Sequence, residues 1–194
     1  IVKGVSQKSN IYGGSTSSEL TTSDSISVQG LSGTSIYGAG GADTLAVSAG
    51  ITGGYISLGS GSDSLILSSS TTSQIMAGSE ILGGSGSDTF NFAGVLTASS
   101  IAAGTDNDLV SLGHAGFASI IGGSGLDTID FAATSGITSS TVSGGSDSDT
   151  INFGLTLTST SISGGSGNDS IYFANTREDA KKINFDDSMI YSEF

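Results

Sequence analysis

One ten-residue phrase occurs three times almost unchanged. It reads Gly83-Gly84-Ser85-Gly86-Ser87-Asp88-Thr89-Phe90-Asn91-Phe92, then Gly122-Gly123-Ser124-Gly125-Leu126-Asp127-Thr128-Ile129-Asp130-Phe131, then Gly164-Gly165-Ser166-Gly167-Asn168-Asp169-Ser170-Ile171-Tyr172-Phe173. Weaker copies surround Asp43, Asp63, Asp108 and Asp149. Counted on the aspartate from Asp24 to Asp169, successive copies lie 19, 20, 25, 20, 19, 22 and 20 residues apart. A unit of that length cannot bury an apolar face alone and has to stack on its neighbours, so the period predicts a solenoid.

Alignment on the aspartate produces three apolar columns. Seven residues before it stand Ile36, Ile56, Ile81, Ile101, Ile120, Val142 and Ile162; two after it stand Leu45, Leu65, Phe90, Val110, Ile129, Ile151 and Ile171. Four after it stand Val47, Leu67, Phe92, Leu112, Phe131, Phe153 and Phe173. Only 36 % of the chain is hydrophobic, so columns without one polar member are not the product of composition. Side chains alternate along a strand, which places the second and fourth residues after the aspartate on one inward face. The β-branched residue seven before it anchors another strand, and Gly-Gly-Ser-Gly-X forms the turn between, where glycine supplies positive φ. The sequence therefore predicts an all-β, parallel β-solenoid of about eight coils of about twenty residues, with one Gly-rich Asp turn per coil. At the usual strand spacing such a rod is about 40 Å long. The extra residues of the 25- and 22-residue intervals are expected on the looser Ser/Thr/Gly/Ala turn, of the kind seen at 154–160.

The ends depart from the pattern. Residues 1–30 read as an irregular first coil or cap, 31–174 as the solenoid, and 175–194 as a C-terminal cap or a linker, with a helical turn expected at 177–182. All five basic residues (Lys3, Lys8, Arg177, Lys181 and Lys182) sit in these ends, whereas Ser9 to Thr176 holds thirteen acidic residues and no Lys or Arg. The formal net charge of −13 argues against nucleic acid and anionic membrane as partners. No window has the length and hydropathy of a membrane span, and the N-terminus shows no signal-peptide pattern. The expectation is a mature product, a fragment, or a segment exported by a signal further along. Cysteine is absent, so disulfides play no part.

The repeated phrase resembles the RTX (repeats-in-toxin) nonapeptide G-G-x-G-x-D-x-U-x, in which U is a large apolar residue. Residues 83–91, 122–130 and 164–172 match every fixed position, and 144–152 match except that Asp147 replaces a glycine. Residues 38–46, 58–66 and 103–111 are poorer in glycine but keep the aspartate and the apolar residue. The resemblance implies a secreted or surface-exposed parallel β-roll that folds around Ca²⁺, held between coils by the Asp carboxylate and turn carbonyls. Carried over residue by residue, it implicates Asp43, Asp63, Asp88, Asp108, Asp127, Asp149 and Asp169. The implied carbonyl donors come from the turns of Gly83, Gly84 and Gly86, of Gly122, Gly123 and Gly125, of Gly144 and Gly145, and of Gly164, Gly165 and Gly167. This chain has one motif per coil where the usual roll has two, so only one side is expected to bind. That is similar to the solenoid segments of large bacterial surface adhesins.

The residues themselves leave two readings of the Asp column open. Stacked about 5 Å apart, neighbouring carboxylates repel by about 1 kcal/mol in water and about 3 kcal/mol at an effective dielectric near 20. Ca²⁺ would offset this with its preference for six to eight hard oxygen ligands. Alternatively each Asp caps its turn by accepting backbone N–H bonds. Asp106, Asp130 and Asp147 read as solvated acids near the same turns, with Asp147 the one that could face the row. His114, the single histidine, reads as structural, because a transition-metal site needs further His or Cys ligands. One histidine inside a repeat supports no Ser-His-Asp arrangement, so no active site is expected. The Phe92, Phe131, Phe153 and Phe173 column reads as core, and Tyr12, Tyr37, Tyr55 and Tyr172 flank turns.

Three functions fit this reading. The first is a calcium-stabilised structural or adhesive module of a surface protein, fibre, surface layer or virion appendage, packed against other copies or domains of the same assembly. The second is an ice-binding solenoid, disfavoured because the column three before the Asp is Gly40, Ser60, Ser85, Thr105, Ser124, Ser146 and Ser166 rather than Thr and Asn. The third is the secretion or accessory domain of a larger enzyme or toxin.

Overall fold

The computed structural model describes residues 5–7, 10–12, 23–68, 74–131, 136–154, 157–173 and 189–192. The helical turn expected at 177–182 and the glycines that open the first copy at 13–14 lie outside them, as do the side chains of Ile11 and Tyr12. The described chain is all β, wound into a parallel solenoid of seven turns with the expected spacing of about twenty residues.

Two sheets form its walls. The first has 13 strands, among them Ser25–Ser32, Thr44–Thr52, Ser64–Leu67, Thr89–Thr97, Leu109–Gly116, Thr128–Phe131, Thr150–Phe153 and Ser170–Phe173. The second has 8, running in space from Ser161–Ser166 back to Asn10–Tyr12. Like residues of consecutive coils pair in parallel register: Phe90 with Leu65 and Val110, Phe131 with Phe153, Ile101 with Ile81 and Ile120. Met189–Ser192 adds a last parallel strand beside Ser170–Phe173.

All three apolar columns point inward and are buried throughout. The four-after column carries a run of rings, with Phe131, Phe153 and Phe173 stacked at centroid distances of 5.3 Å and interplanar angles of 13° and 14°. A further inward column, Leu31, Ile51, Met76, Leu96, Ala115 and Ile137, comes from a second limb of the first sheet. Register locates the long intervals. Phe131 pairs with Leu112 and Ile137 with Ala115, so the extra residues of that coil fall between 131 and 137. Likewise Leu67 pairs with Val47 and Met76 with Ile51, placing the other insertion between 67 and 76. The ladders on either side of both insertions stay in register.

Each coil turns two tight corners between the sheets. At the Asp corner two residues per coil take positive φ. They are the fourth before the Asp (Ala39, Gly59, Gly84, Gly104, Gly123, Gly145, Gly165) and the second before it (Gly41, Gly61, Gly86, Asp106, Gly125, Asp147, Gly167). At the opposite corner one residue does so: Gly33, Gly53, Gly78, Ala98, Phe117, Ser139 and Ser159. Glycine at the Asp corner has a second cause besides φ. A Cβ at Gly145 would press into the carbonyl oxygen of Gly123 in the preceding coil, and one at Gly125 into that of Asp106. At these glycines the coils approach too closely for a Cβ without a shift of the backbone.

Candidate functional site

The first residue of the strand that leaves each Asp corner follows directly on the aspartate, so the pleat turns that carboxylate inward beneath the corner. Asp43, Asp63, Asp88, Asp108, Asp127, Asp149 and Asp169 are all between 1 % and 5 % exposed. They form a ladder through the main chain. The N–H of Asp24 donates to Oδ1 of Asp43 at 2.7 Å, that of Asp43 to Asp63 at 2.7 Å, and that of Asp63 to Asp88 at 2.8 Å. The series continues from Asp88 to Asp108 at 2.8 Å, then through Asp127, Asp149 and Asp169 at 2.9 Å per step. One oxygen of each carboxylate is thus a cap across coils, as the capping reading expects.

The other oxygen has no such partner. Oδ2 of Asp24, Asp43, Asp63, Asp88, Asp108, Asp127 and Asp149 is buried and accepts no hydrogen bond. A buried polar atom left unpaired costs about 1–3 kcal/mol, and more when charged, so a column of seven is a large departure from ordinary packing. Burial is the main cause that pushes the carboxyls of Asp88, Asp108 and Asp149 up to about 7 and that of Asp43 up to about 6. The N–H bond pulls each back, and neighbouring carboxylates add to the rise. Burial likewise raises Asp63 and Asp127.

The opposite corner solves the same capping problem without charge. Ser79 Oγ accepts the N–H of Gly54, Ser99 Oγ that of Ser79, and Ser140 Oγ that of Ala118, each at 3.1 Å. Each hydroxyl then donates its own proton to the carbonyl two residues earlier: Ala77 at 3.0 Å, Thr97 at 2.9 Å and Thr138 at 2.9 Å. Thr34 and Thr160 donate in the same way to Ser32 and Thr158. A short hydroxyl therefore caps a coil corner of this solenoid completely. Capping alone explains one oxygen of the aspartate and leaves the second, and its charge, without a purpose.

What faces Oδ2 is more oxygen. A Cβ built on Gly122 would lie 2.5 Å from Oδ2 of Asp127 and 2.5 Å from the carbonyl oxygen of Gly144 in the next coil. One on Gly83 would lie 2.5 Å from Oδ2 of Asp88 and press into the carbonyl of Ala103. Gly38 holds the same relation to Asp43 and Leu58, and Gly144 to Asp149 and Gly164. At each of these glycines a carboxylate oxygen and a main-chain carbonyl of the adjacent coil crowd the Cα too closely for a Cβ. The unpartnered Oδ2 atoms and the turn carbonyls are hard oxygen donors of the kind Ca²⁺ takes, so the residues present fit that ion. Among the described residues no three His, Cys, Asp or Glu side chains converge, so main-chain oxygens would supply most of such a site.

The remaining acids and His114 stand apart from this. Asp106 and Asp147 occupy the second positive-φ position, at 76° and 78°. Their Oδ2 atoms accept the N–H of Gly86 at 3.0 Å and of Gly125 at 3.2 Å, so both are outer caps rather than solvated acids alone. Asp130 lies on the outer face of Thr128–Phe131, and His114 pairs with Val95 in the second limb of the first sheet. Phe92, Phe131, Phe153 and Phe173 are core, whereas Tyr172 is exposed and Tyr37 and Tyr55 meet at 5.7 Å on the second sheet. No helix among the described residues is long and apolar enough to cross a membrane. Comparisons with protein-family models, with curated proteins and with solved structures found no match to this chain.

Proposed function

We propose that this chain is a calcium-stabilised structural or adhesive rod of a secreted or surface-exposed assembly, built from RTX-like repeats. The observation that carries the reading is the column of buried, unpartnered Oδ2 atoms beside a second corner where serine hydroxyls cap with nothing left over. Asp88, Asp127 and Asp149, with carbonyls of the following coils, would hold the ion. It supplies positive charge between coils that repel through their carboxylates. The chain's own residues do the rest. The Asp N–H groups fix the rungs in line, the glycines let the coils close to contact, and the apolar columns set the register that repeats the site. Extracellular calcium is abundant enough to load weak sites, which suits a surface protein and a fold that stiffens on export.

Thermal unfolding followed by circular dichroism at about pH 8, where carboxyls with values near 7 are ionised, tests this. Calcium should raise the midpoint and a chelator should lower it or loosen the strand signal, because an ion that binds only the folded state stabilises it by mass action. Mg²⁺ should substitute poorly, since it demands tighter octahedral geometry. Identical midpoints in calcium and chelator would defeat the reading.

A further inference from the structure

The corner opposite the aspartates carries one residue per coil at positive φ, and that row is uneven. Its first three members are Gly33, Gly53 and Gly78, the fourth is Ala98, and the last three, Phe117, Ser139 and Ser159, carry longer side chains. A Cβ on Gly53 or Gly78 would meet nothing within 4 Å, so these glycines leave hollows in a groove that runs along the corner. Phe117 is the opposite case. It holds a bulky side chain at φ of 52° and is 67 % exposed. A single exposed ring is ordinary, but a left-handed backbone is unfavourable for such a residue and persists mainly at sites of function. At that exposure, packing within one chain gives little in return.

We propose that this corner is a self-complementary contact, at which a second copy of the chain docks antiparallel about a two-fold axis through Ala98. Neighbouring members of the row are one coil apart, linked by N–H bonds from Gly78 to Thr97, Ala98 to Gly116 and Phe117 to Thr138. Phe117 therefore stands one coil to one side of Ala98 and Gly78 one coil to the other. An isologous pairing sets each position against its counterpart across the axis, so each Phe117 ring covers the hollow at the second copy's Gly78. Ser139 meets Gly53 and Ser159 meets Gly33 in the same way, and every glycine receives a side chain. Parallel copies in register would instead set ring against ring. The row two residues further on agrees, since Glu80 comes opposite Ser119, whose hydroxyl can donate to it, and Tyr55 opposite Thr141. Charge selects the same corner. Each copy carries −13, with the aspartate ladder on the opposite corner, whereas among the described residues that line this groove Glu80 alone is charged. The strip is about 30 Å long and one corner wide, less than a permanent dimer buries, so the pair is weak between free chains. The inference deepens the reading of an assembly of copies and does not depend on calcium.

Sedimentation equilibrium of the full chain in calcium at about 0.15 M salt, up to about 1 mM protein, should show monomers in balance with dimers. Phe117→Gly, which restores the residue found in three other coils, should abolish the dimer and raise the urea midpoint of the dilute monomer, with circular dichroism confirming the strand signal. Gly78→Phe, which fills the hollow, should abolish the dimer too; if that variant fails to fold, Phe117→Gly decides alone. The chain has no cysteine, so single-cysteine variants read the geometry. Ala98→Cys should be joined to its copy by a short bifunctional thiol reagent. Ser159→Cys, three coils from the axis and so about 29 Å from its counterpart in the antiparallel pair, should not be. Equal cross-linking of Ser159→Cys would mean parallel copies and overturn the proposal. A parent that stays monomeric throughout, or a dimer that survives Phe117→Gly, would overturn it as well. Each of these outcomes leaves the calcium reading standing.

Discussion

Replacing Asp127 by Asn separates the two uses of the carboxylate within one side chain. Asn keeps an acceptor for the N–H of Asp108, which now reaches Oδ1 of Asp127 at 2.9 Å. It removes the charge and puts an amide N–H₂ where the bare Oδ2 faces the carbonyl of Gly144. Asp108 and Asp149 are the adjacent rungs, one coil away on either side. At about 5 Å each repulsion is about 1 kcal/mol in water and about 3 kcal/mol at an effective dielectric of 20, so relief amounts to roughly 2–6 kcal/mol. The exchange of a charged for a neutral acceptor gives back about 1 kcal/mol. Without metal at about pH 8, Asp127→Asn should therefore be more stable than the parent by roughly 1–5 kcal/mol. Calcium should erode that gain, by about 2.7 kcal/mol at a hundred times the dissociation constant and about 4.1 at a thousand times. The ranking inverts once that stabilisation exceeds the relief of repulsion. Urea midpoints at unchanged slope, in chelator and across a calcium series, read this directly. A gain that does not depend on calcium would refute the cation site at this rung.

Other perturbations bear on the scaffold and on the charge. Phe153→Ala removes the central ring of the Phe131–Phe153–Phe173 stack and should cost about 4–6 kcal/mol, from the cavity and two lost ring contacts; a urea midpoint that hardly moves would mean the thin core closes the gap. Gly145→Ala meets φ of 128° and the Gly123 carbonyl at once. It should cost about 2–4 kcal/mol by the same assay, while Gly116→Ala, where a Cβ meets nothing within 4 Å, stays near neutral. In chelator, stability should fall as pH rises. The folded carboxyls of Asp43, Asp88, Asp108 and Asp149 lie raised, at about 6 to 7, so the native state binds more protons than the unfolded chain above pH 4. That contribution is complete below about pH 4 and lost by about pH 8, at up to about 1.4 kcal/mol per pH unit for each group. Thermal midpoints that rise over this range would contradict it.

The solenoid, its parallel register and its three main apolar columns were legible because their offsets from the aspartate never vary. Ile36 through Ile162 and Val47 through Phe173 hold their offsets in every coil and are buried in every coil. The inward column of Ile51, Met76, Leu96 and Ile137 was not legible, since the insertions before Met76 and Ile137 shift it against the aspartate. The hydroxyl ladder of Ser79, Ser99 and Ser140 was hidden by the abundance of serine and by Gly54 and Ala118 in the same column. Capping and cation binding stood as alternatives in the sequence because a residue type does not say how its two oxygens are used. In the fold Oδ1 takes the N–H of the preceding coil, while Oδ2 is buried without a hydrogen bond. The glycines likewise had a reason that no single coil contains, the carbonyl of the coil beneath.

A crystal structure of the full chain grown in calcium at about pH 8, with anomalous data, measures the central claim at its atoms. The account predicts density 2.3–2.6 Å from Oδ2 of Asp88, Asp127 and Asp149, shared with a carbonyl oxygen of the following coil. Those places holding no ion, with each Oδ2 paired to a donor instead, would make the aspartates turn caps and contradict the account.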